Sequence, residues 1–338
     1  MKRTLSHITC MLLILLPLLG SAQDIHFSQF DVAPMNYNPA MTGQFNGDFR
    51  FIGNQRTQWK SVTTPYSTFG GSIDARNMNK ISGLGTGLSI YQDKAGDSRL
   101  STLQVNAAAS WLIPVSTDSL HTVSFGAQLG FTHKKIDYSQ LRYDNQWNGL
   151  AFDPSIDPNE PNNRDSRTYL NFNVGGGYYW KPKKRTEIYA GFGMFNLNTP
   201  KQSFYNEPSV RLNMRFNLHA NAAFPISQEI DLLPSVLFQK QGKFKELIIG
   251  AAGRYIINDK GGLYRTVFVG MYMRTSDAGY LMAGVDYDNW RAAVSYDINV
   301  SNLRPASNAR GGLELSLIYI IRKLRMPEIQ DRICPEYI

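Results

Sequence analysis

Between Trp290 and Tyr319 the chain alternates apolar and polar side chains for longer than a soluble strand requires. Trp290, Ala292, Val294, Tyr296, Ile298 and Val300 form one series, and Arg291, Ala293, Ser295, Asp297 and Asn299 interleave with it. After a loop from Ser301 to Arg310, Leu313, Leu315, Leu317 and Tyr319 alternate with Glu314, Ser316 and Ile318. A period of two marks a strand, because successive side chains point to opposite faces. Roughly 9–11 tilted residues carry a strand across a bilayer, whereas strands of soluble proteins run nearer 5–6. The stretch therefore reads as a hairpin in a wall with lipid on one side and a wet lumen on the other.

The same rhythm recurs through the chain. Extended segments separated by turn signals begin near Phe49, Tyr66, Gly83, Arg99, His121, Thr168, Thr186, Ser209, Glu229, Phe244, Leu263, Gly279, Trp290 and Gly311. The expected fold is all-β: a transmembrane antiparallel β-barrel of about 14 strands. The eighth segment alternates most cleanly. Val210, Leu212, Met214, Phe216, Leu218, Ala220, Ala222 and Phe224 face Arg211, Asn213, Arg215, Asn217, His219 and Asn221 across it. Connections alternate, imperfectly, between short turns and longer loops, the longest running from Asp137 to Arg167. Trp59, Trp111, Tyr178, Tyr179, Trp180, Tyr287, Trp290 and Tyr319 lie near segment ends, where interfacial girdles sit.

The ends have a different character. Lys2 and Arg3, an apolar run from Met11 to Leu19 and Gly20-Ser21-Ala22 have the form of a signal peptide over residues 1–22. The expected division is then 23–48 as an amino-terminal segment, 49–325 as the barrel and 326–338 as a periplasmic tail. Two prolines and Gly43 break regular structure in the amino-terminal segment, yet its Phe, Tyr and Met residues demand packing. Cys10 falls in the signal peptide, which leaves Cys334 without an internal disulfide partner. The formal charge of +8 is scattered over an exported chain, which argues against a nucleic-acid partner and for a basic lumen beside outer-membrane lipid.

Catalytic and metal motifs are not assembled. His26, His121, His133 and His219 are far apart in sequence, and no GxSxG occurs. The oxygen-rich run Asp153–Glu160 lacks the spacing and glycine of an EF-hand. Gly85-Thr86-Gly87 and Gly175-Gly176-Gly177 open no helix, so they are read as places of curvature or close backbone approach rather than phosphate cradles. The expectation is a non-enzymatic protein without cofactor or metal.

Several stretches resemble the PorP/SprF family. At the amino end these are Asp24–Phe30, with Phe27, Ser28 and Gln29, and Asn38–Gly43, with Asn38, Pro39 and Gly43. Arg56 and Trp59 in Asn54–Trp59 follow. At the carboxyl end come Tyr296, Asp297, Arg304 and Pro305 in Ser295–Ala306, then Gly311–Ser316, and finally Cys334 and Pro335. The resemblance implies an outer-membrane component of the type IX secretion system of Bacteroidetes. It implies as partners periplasmic subunits of that system and a large secreted client or adhesin with a carboxyl-terminal sorting domain.

Alternation places Arg211, Arg215, Arg254, Arg291, Asp297 and Glu314 in the lumen. Two roles stay open for them: gripping a client segment or an internal plug made by residues 24–48, or pairing with one another across the lumen. Beside the secretion barrel stand two alternatives. One is a porin or transporter for small or hydrophobic solutes, and the other an adhesin or structural barrel working through its outer loops.

Overall fold

A computed structural model describes residues 24–322 except 59–63, 97, 116–119, 161–163, 206, 261–262, 276 and 301–309. Fourteen strands form one closed antiparallel barrel in which each pairs with its sequence neighbours. In order they are β1 (Phe49–Gln58), β2 (Tyr66–Arg76), β3 (Leu84–Ala95), β4 (Leu100–Pro114), β5 (His121–Lys135), β6 (Ser166–Lys183) and β7 (Thr186–Phe195). There follow β8 (Arg215–Pro225), β9 (Ile230–Gln241), β10 (Phe244–Asn258), β11 (Arg265–Arg274), β12 (Ala278–Tyr287), β13 (Trp290–Asn299) and β14 (Arg310–Ile321). β14 closes on β1 in an unbroken register from Phe49↔Ile321 to Gln58↔Gly312. Closure pairs every wall strand on both sides, the condition for strands in lipid.

The two faces of the wall are inverted relative to a soluble protein. Leu88, Ile90, Phe125, Leu129, Leu170, Phe172, Val269, Met271 and Leu315 point outward and are exposed, while Asn54, Ser89, Asn106, Gln128, Asn171, Asn173 and Asn217 point inward and are buried. Each large apolar side chain left in water forgoes ~1.5–3 kcal/mol, so a band of them around a polar interior requires an apolar solvent. Ten residues of β1 at a rise of ~3.3 Å and a tilt of ~40° span roughly 25 Å. Trp111, Tyr178, Tyr287 and Trp290 are exposed together at one end, and the Trp290 and Tyr319 rings lie 4.3 Å apart there.

That end, carrying Phe49 and Ile321, is called the terminal rim. The connection spanning 136–165 leaves from the opposite rim, as do those after β7 and β9. The eighth strand departs from expectation: it starts at Arg215, not Ser209. Arg215 pairs with Phe195 at the end of β7 and with Gln241 at the end of β9. Beyond it neither neighbour continues, so the alternating stretch Val210–Met214 finds no ladder partner. Residues there fold over the rim through an isolated bridge between Lys201 and Arg211.

Residues 24–48 run inside the barrel. They make short turns at Phe30–Val32, Pro34–Tyr37 and Pro39–Met41, and Phe27, Ser28, Gln29, Met35, Tyr37, Asn38 and Ala40 are buried. The segment joins β1 at the terminal rim, and Asp24 reaches the opposite rim, where its N–H donates to Gln241 Oε1 at 3.1 Å.

Candidate functional site

The lumen is organised by the contact between the wall and this internal segment. Near the opposite rim, β14 presents Glu314 to two successive backbone amides: Oε2 accepts from Ser28 N at 2.7 Å and Oε1 from Gln29 N at 3.1 Å. One strand over, Asp297 Oδ2 accepts from Ser28 Oγ, from Arg56 Nη2 and from Arg274 Nη2, each at 2.9 Å. Arg274 Nη2 also donates to Ser28 Oγ at 2.8 Å. The Gln29 side chain is satisfied on both atoms, donating to Ser295 Oγ at 3.0 Å and accepting from Ser316 Oγ at 2.6 Å. Arg56, Arg274 and Glu314 are each 1 % exposed. Buried charges of this kind cost several kcal/mol each to desolvate and persist only when paired and hydrogen-bonded.

In the middle of the lumen the wall is hollowed by glycine. A Cβ on Gly126 of β5 would lie 2.5 Å from Ala40 N and from Pro39 C, and one on Gly193 of β7 would lie 2.2 Å from Tyr37 O. The Pro39 turn therefore rests directly on wall backbone. Asn38 Nδ2 donates to Gly176 O at 3.1 Å and meets His219 Nε2 at 2.9 Å. The His219 ring stacks on Tyr189 and meets Tyr37 edge-on.

Toward the terminal rim, Gly43 N donates to Asp74 Oδ2 at 2.7 Å, and Arg50 closes on the same carboxylate at 2.6 Å. Ser110 Oγ donates to Thr42 O at 2.5 Å. The segment is thus tied to the wall at both ends and seated on glycine between them.

The six charges expected in the lumen divide three ways. Arg215, Asp297 and Glu314 hold the internal segment; Arg215 Nη2 donates to Asn36 O at 2.7 Å, and its guanidinium lies 4.5 Å over the Phe195 ring. Arg254 and Arg291 face the lumen but pair with the wall, on Asp231 at 2.6 Å and Asp286 at 2.5 Å. Arg211 is not in the lumen: it is exposed on the rim excursion, and among the described residues its side chain donates to Thr199 O at 3.3 Å. The alternation that placed it inward continues past the point where β7 and β9 stop.

The residues carrying the family resemblance converge. Phe27, Ser28, Gln29, Asn38, Pro39 and Gly43 lie on the internal segment, and Arg56 and Asp297 on the wall opposite it. Ser28 and Gln29 therefore meet Arg56, Asp297 and Glu314, joining both ends of the chain in one cluster. Tyr296 points outward and is exposed. Trp59, Arg304, Pro305, Cys334 and Pro335, and the expected signal peptide, lie outside the described residues.

Sequence reasoning does not single out Arg274, Asp74 or Asp231, and it places His219 only on the polar face of the eighth segment. Arg274 was visible in one respect: it continues the inward series Thr266, Phe268, Gly270 and Tyr272 against outward Val267, Val269, Met271 and Met273. Its partners, Asp297 on β13 and Ser28 on the internal segment, are set by the order of strands around the ring and by what fills the lumen.

Beyond the opposite rim, Asp153 accepts from both Ser155 Oγ at 2.6 Å and Ser155 N at 2.9 Å, which hold its carboxyl below the usual carboxylate range. Asp157 caps Asn159 N in the same way at 2.9 Å. These oxygens shape turns within the loop.

Comparison with known proteins gives two kinds of match. The model of the family described as "Type IX secretion system membrane protein PorP/SprF" matches residues 19–319. Among solved structures, the deltaS2 mutant of the monoaromatic hydrocarbon channel TodX aligns with a TM-score of 0.50 at 11% identity, covering 85% of this chain and 93% of that one. A Pseudomonas aeruginosa FadL homologue aligns with a TM-score of 0.44 at 10% identity, covering 85% and 94%. At 11% identity the TodX structure speaks for the barrel fold alone. No curated protein sequence matches the chain.

Proposed function

The chain belongs to the PorP/SprF family of type IX secretion system membrane proteins, and from that premise we propose that it is an occluded outer-membrane barrel that holds protein rather than passing solute. It assists secretion or surface attachment of a large client with a carboxyl-terminal sorting domain, such as a gliding adhesin. The terminal rim, with the 326–338 tail, faces the periplasm and contacts the periplasmic subunits of the system; the loops of the opposite rim face the client.

The observation that carries this reading is the internal segment fixed in the lumen. Ser28 and Gln29 are fixed to Glu314 and Asp297 by hydrogen bonds to charged groups, worth ~1.5–3 kcal/mol each. A permanent pore gains nothing from such an anchor, whereas a barrel used as a rigid docking body does. Truncation after Arg325 tests the periplasmic side: capture of the periplasmic subunits by the tagged barrel is expected to fall. Excision of Asp137–Arg167 tests the outer side and is expected to lower client at the cell surface with the barrel still present. Undiminished capture and undiminished surface client in the two variants contradict the assignment.

A solute channel is the second reading, favoured by one feature: the half of the lumen next to the terminal rim is not filled. A cavity of about 330 Å³ lies there, lined by Tyr37, Tyr189, Leu233, Phe268, Tyr272 and Met282 among others. Steady conductance of the full chain would favour this reading.

A further inference from the structure

The unfilled half of the lumen is a vestibule with a chemical character of its own. Two cavities, about 330 and 250 Å³, open beside the terminal rim, and Asp31 lines both. A volume of this size is at the lower end of what small-molecule sites enclose.

The charged side chains around it are engaged, with one exception. Asp231 takes Arg185 at 2.5 Å and Arg254 at 2.6 Å, Asp286 takes Arg291 at 2.5 Å, and Asp74 takes Arg50 at 2.6 Å. Glu187 pairs with Lys181, and Asp288 with Arg265 at 3.4 Å. Arg322 donates to Asn46 O at 3.2 Å and to Asn289 Oδ1 at 3.2 Å. Asp31 has no ion pair among the described residues; its carboxylate accepts from backbone N–H groups of its own turn, and the cation it feels most is Arg291, already paired with Asp286. It is exposed into the vestibule, although Phe30 and Val32 on either side are 4 % and 2 % exposed.

A second, independent observation comes from Tyr37. Its side chain is 2 % exposed and lines the larger cavity, and its hydroxyl stands beside the Asn221 side chain without a hydrogen bond of good geometry. Asn221 Oδ1, on the same cavity, is also without a partner. A buried polar atom left unpaired costs ~1–3 kcal/mol, so these two neighbouring atoms call for a polar partner from within the cavity. The remaining wall is aromatic, with Tyr272 stacked on Tyr280 at 4.9 Å and Phe268 beside it. A carboxylate without an ion pair, two neutral acceptors and aromatic faces are the elements that recognise an organic cation, through charge, hydrogen bonds and cation–π attraction.

We propose that the vestibule is a binding site for an alkylammonium or guanidinium group entering from the terminal rim, held by Asp31 with the Tyr37 hydroxyl, Asn221 and the Tyr272 ring. The cation is supplied either by a lysine or arginine side chain of a peptide or by a free polyamine. The site does not depend on the secretion reading.

Isothermal titration of the full chain in detergent micelles tests it. The probes are N-acetyl-arginine amide, N-acetyl-lysine amide and spermidine, with N-acetyl-citrulline amide as the uncharged isostere. Saturable one-to-one binding of at least one cation and none of citrulline is expected, with affinity falling tenfold or more in Asp31→Asn and severalfold in Tyr37→Phe. Binding of the amino-acid amides identifies a peptide side chain as the source, and binding of spermidine alone identifies a polyamine. Both substitutions nearly preserve shape, and the heat-modifiable gel shift of each variant confirms a folded barrel. No binding by any cation, or equal affinity in folded Asp31→Asn, overturns the proposal.

Discussion

Glu314 grips the backbone of Ser28 at 2.7 Å across 286 positions of sequence, which makes a carboxylate on the last strand the anchor of the chain's first described turn. The same carboxylate accepts from Gln29 N, and Arg56 Nε stands 3.8 Å from it. The anchor is therefore part of barrel closure itself, since Arg56 sits on β1 opposite Glu314 in the β1–β14 register.

Removing that carboxylate leaves the Ser28 and Gln29 amides without an acceptor in a buried site and takes one of two carboxylates from Arg56. Glu314→Ala is expected to cost about 3–5 kcal/mol, and Asp297→Ala a similar amount, because Arg56 and Arg274 then lose their shared partner. The measurement is the temperature at which the compact band of the folded barrel converts to the extended band on a denaturing gel. An unchanged conversion temperature in both variants contradicts the anchoring role.

The glycine hollow gives a sharper prediction, because its effect depends on the internal segment. All three atoms nearest to a Cβ on Gly126 belong to Pro39 and Ala40. Gly126→Val is therefore expected to destabilise the intact protein strongly, and to do so far less when residues 24–48 are deleted. The readout is the coupling between the two changes in a double-mutant cycle. Equal cost in both backgrounds shows that the segment does not rest on that wall.

Arg211 and Arg215 are four residues apart and have opposite fates. Arg211→Ala removes an exposed side chain and is expected to change stability by less than ~0.5 kcal/mol. Arg215→Ala strips the Asn36 carbonyl and Asp24 of a cation, at ~1.5–3 kcal/mol per lost charged hydrogen bond. Equal effects in the heat-conversion assay contradict the rim assignment of Arg211.

These fates also show where the sequence is legible. Alternation reports which face a side chain occupies and for how long, so the starts of β1, β5, β7, β10 and β13 at Phe49, His121, Thr186, Phe244 and Trp290 agree with the structure. It does not report when neighbouring strands end, which is why Val210–Met214 read as wall. Partner identity was hidden for a related reason. Arg56 and Asp297 were each notable alone, but their contact follows from β14 closing on β1. The Arg274 contact to Asp297 follows from the order of β11, β12 and β13 around the ring. The positions of Gly126 and Gly193 acquire meaning only once a second backbone lies against them.

Single-channel recording in planar bilayers tests the occluded lumen most directly. Purified full chain and the 24–48 deletion are compared, each confirmed as a folded barrel by its gel shift. The full chain is expected to be electrically silent and the deletion to show steady, large conductance. Equal conductance from the two proteins would contradict an internal segment that closes the barrel.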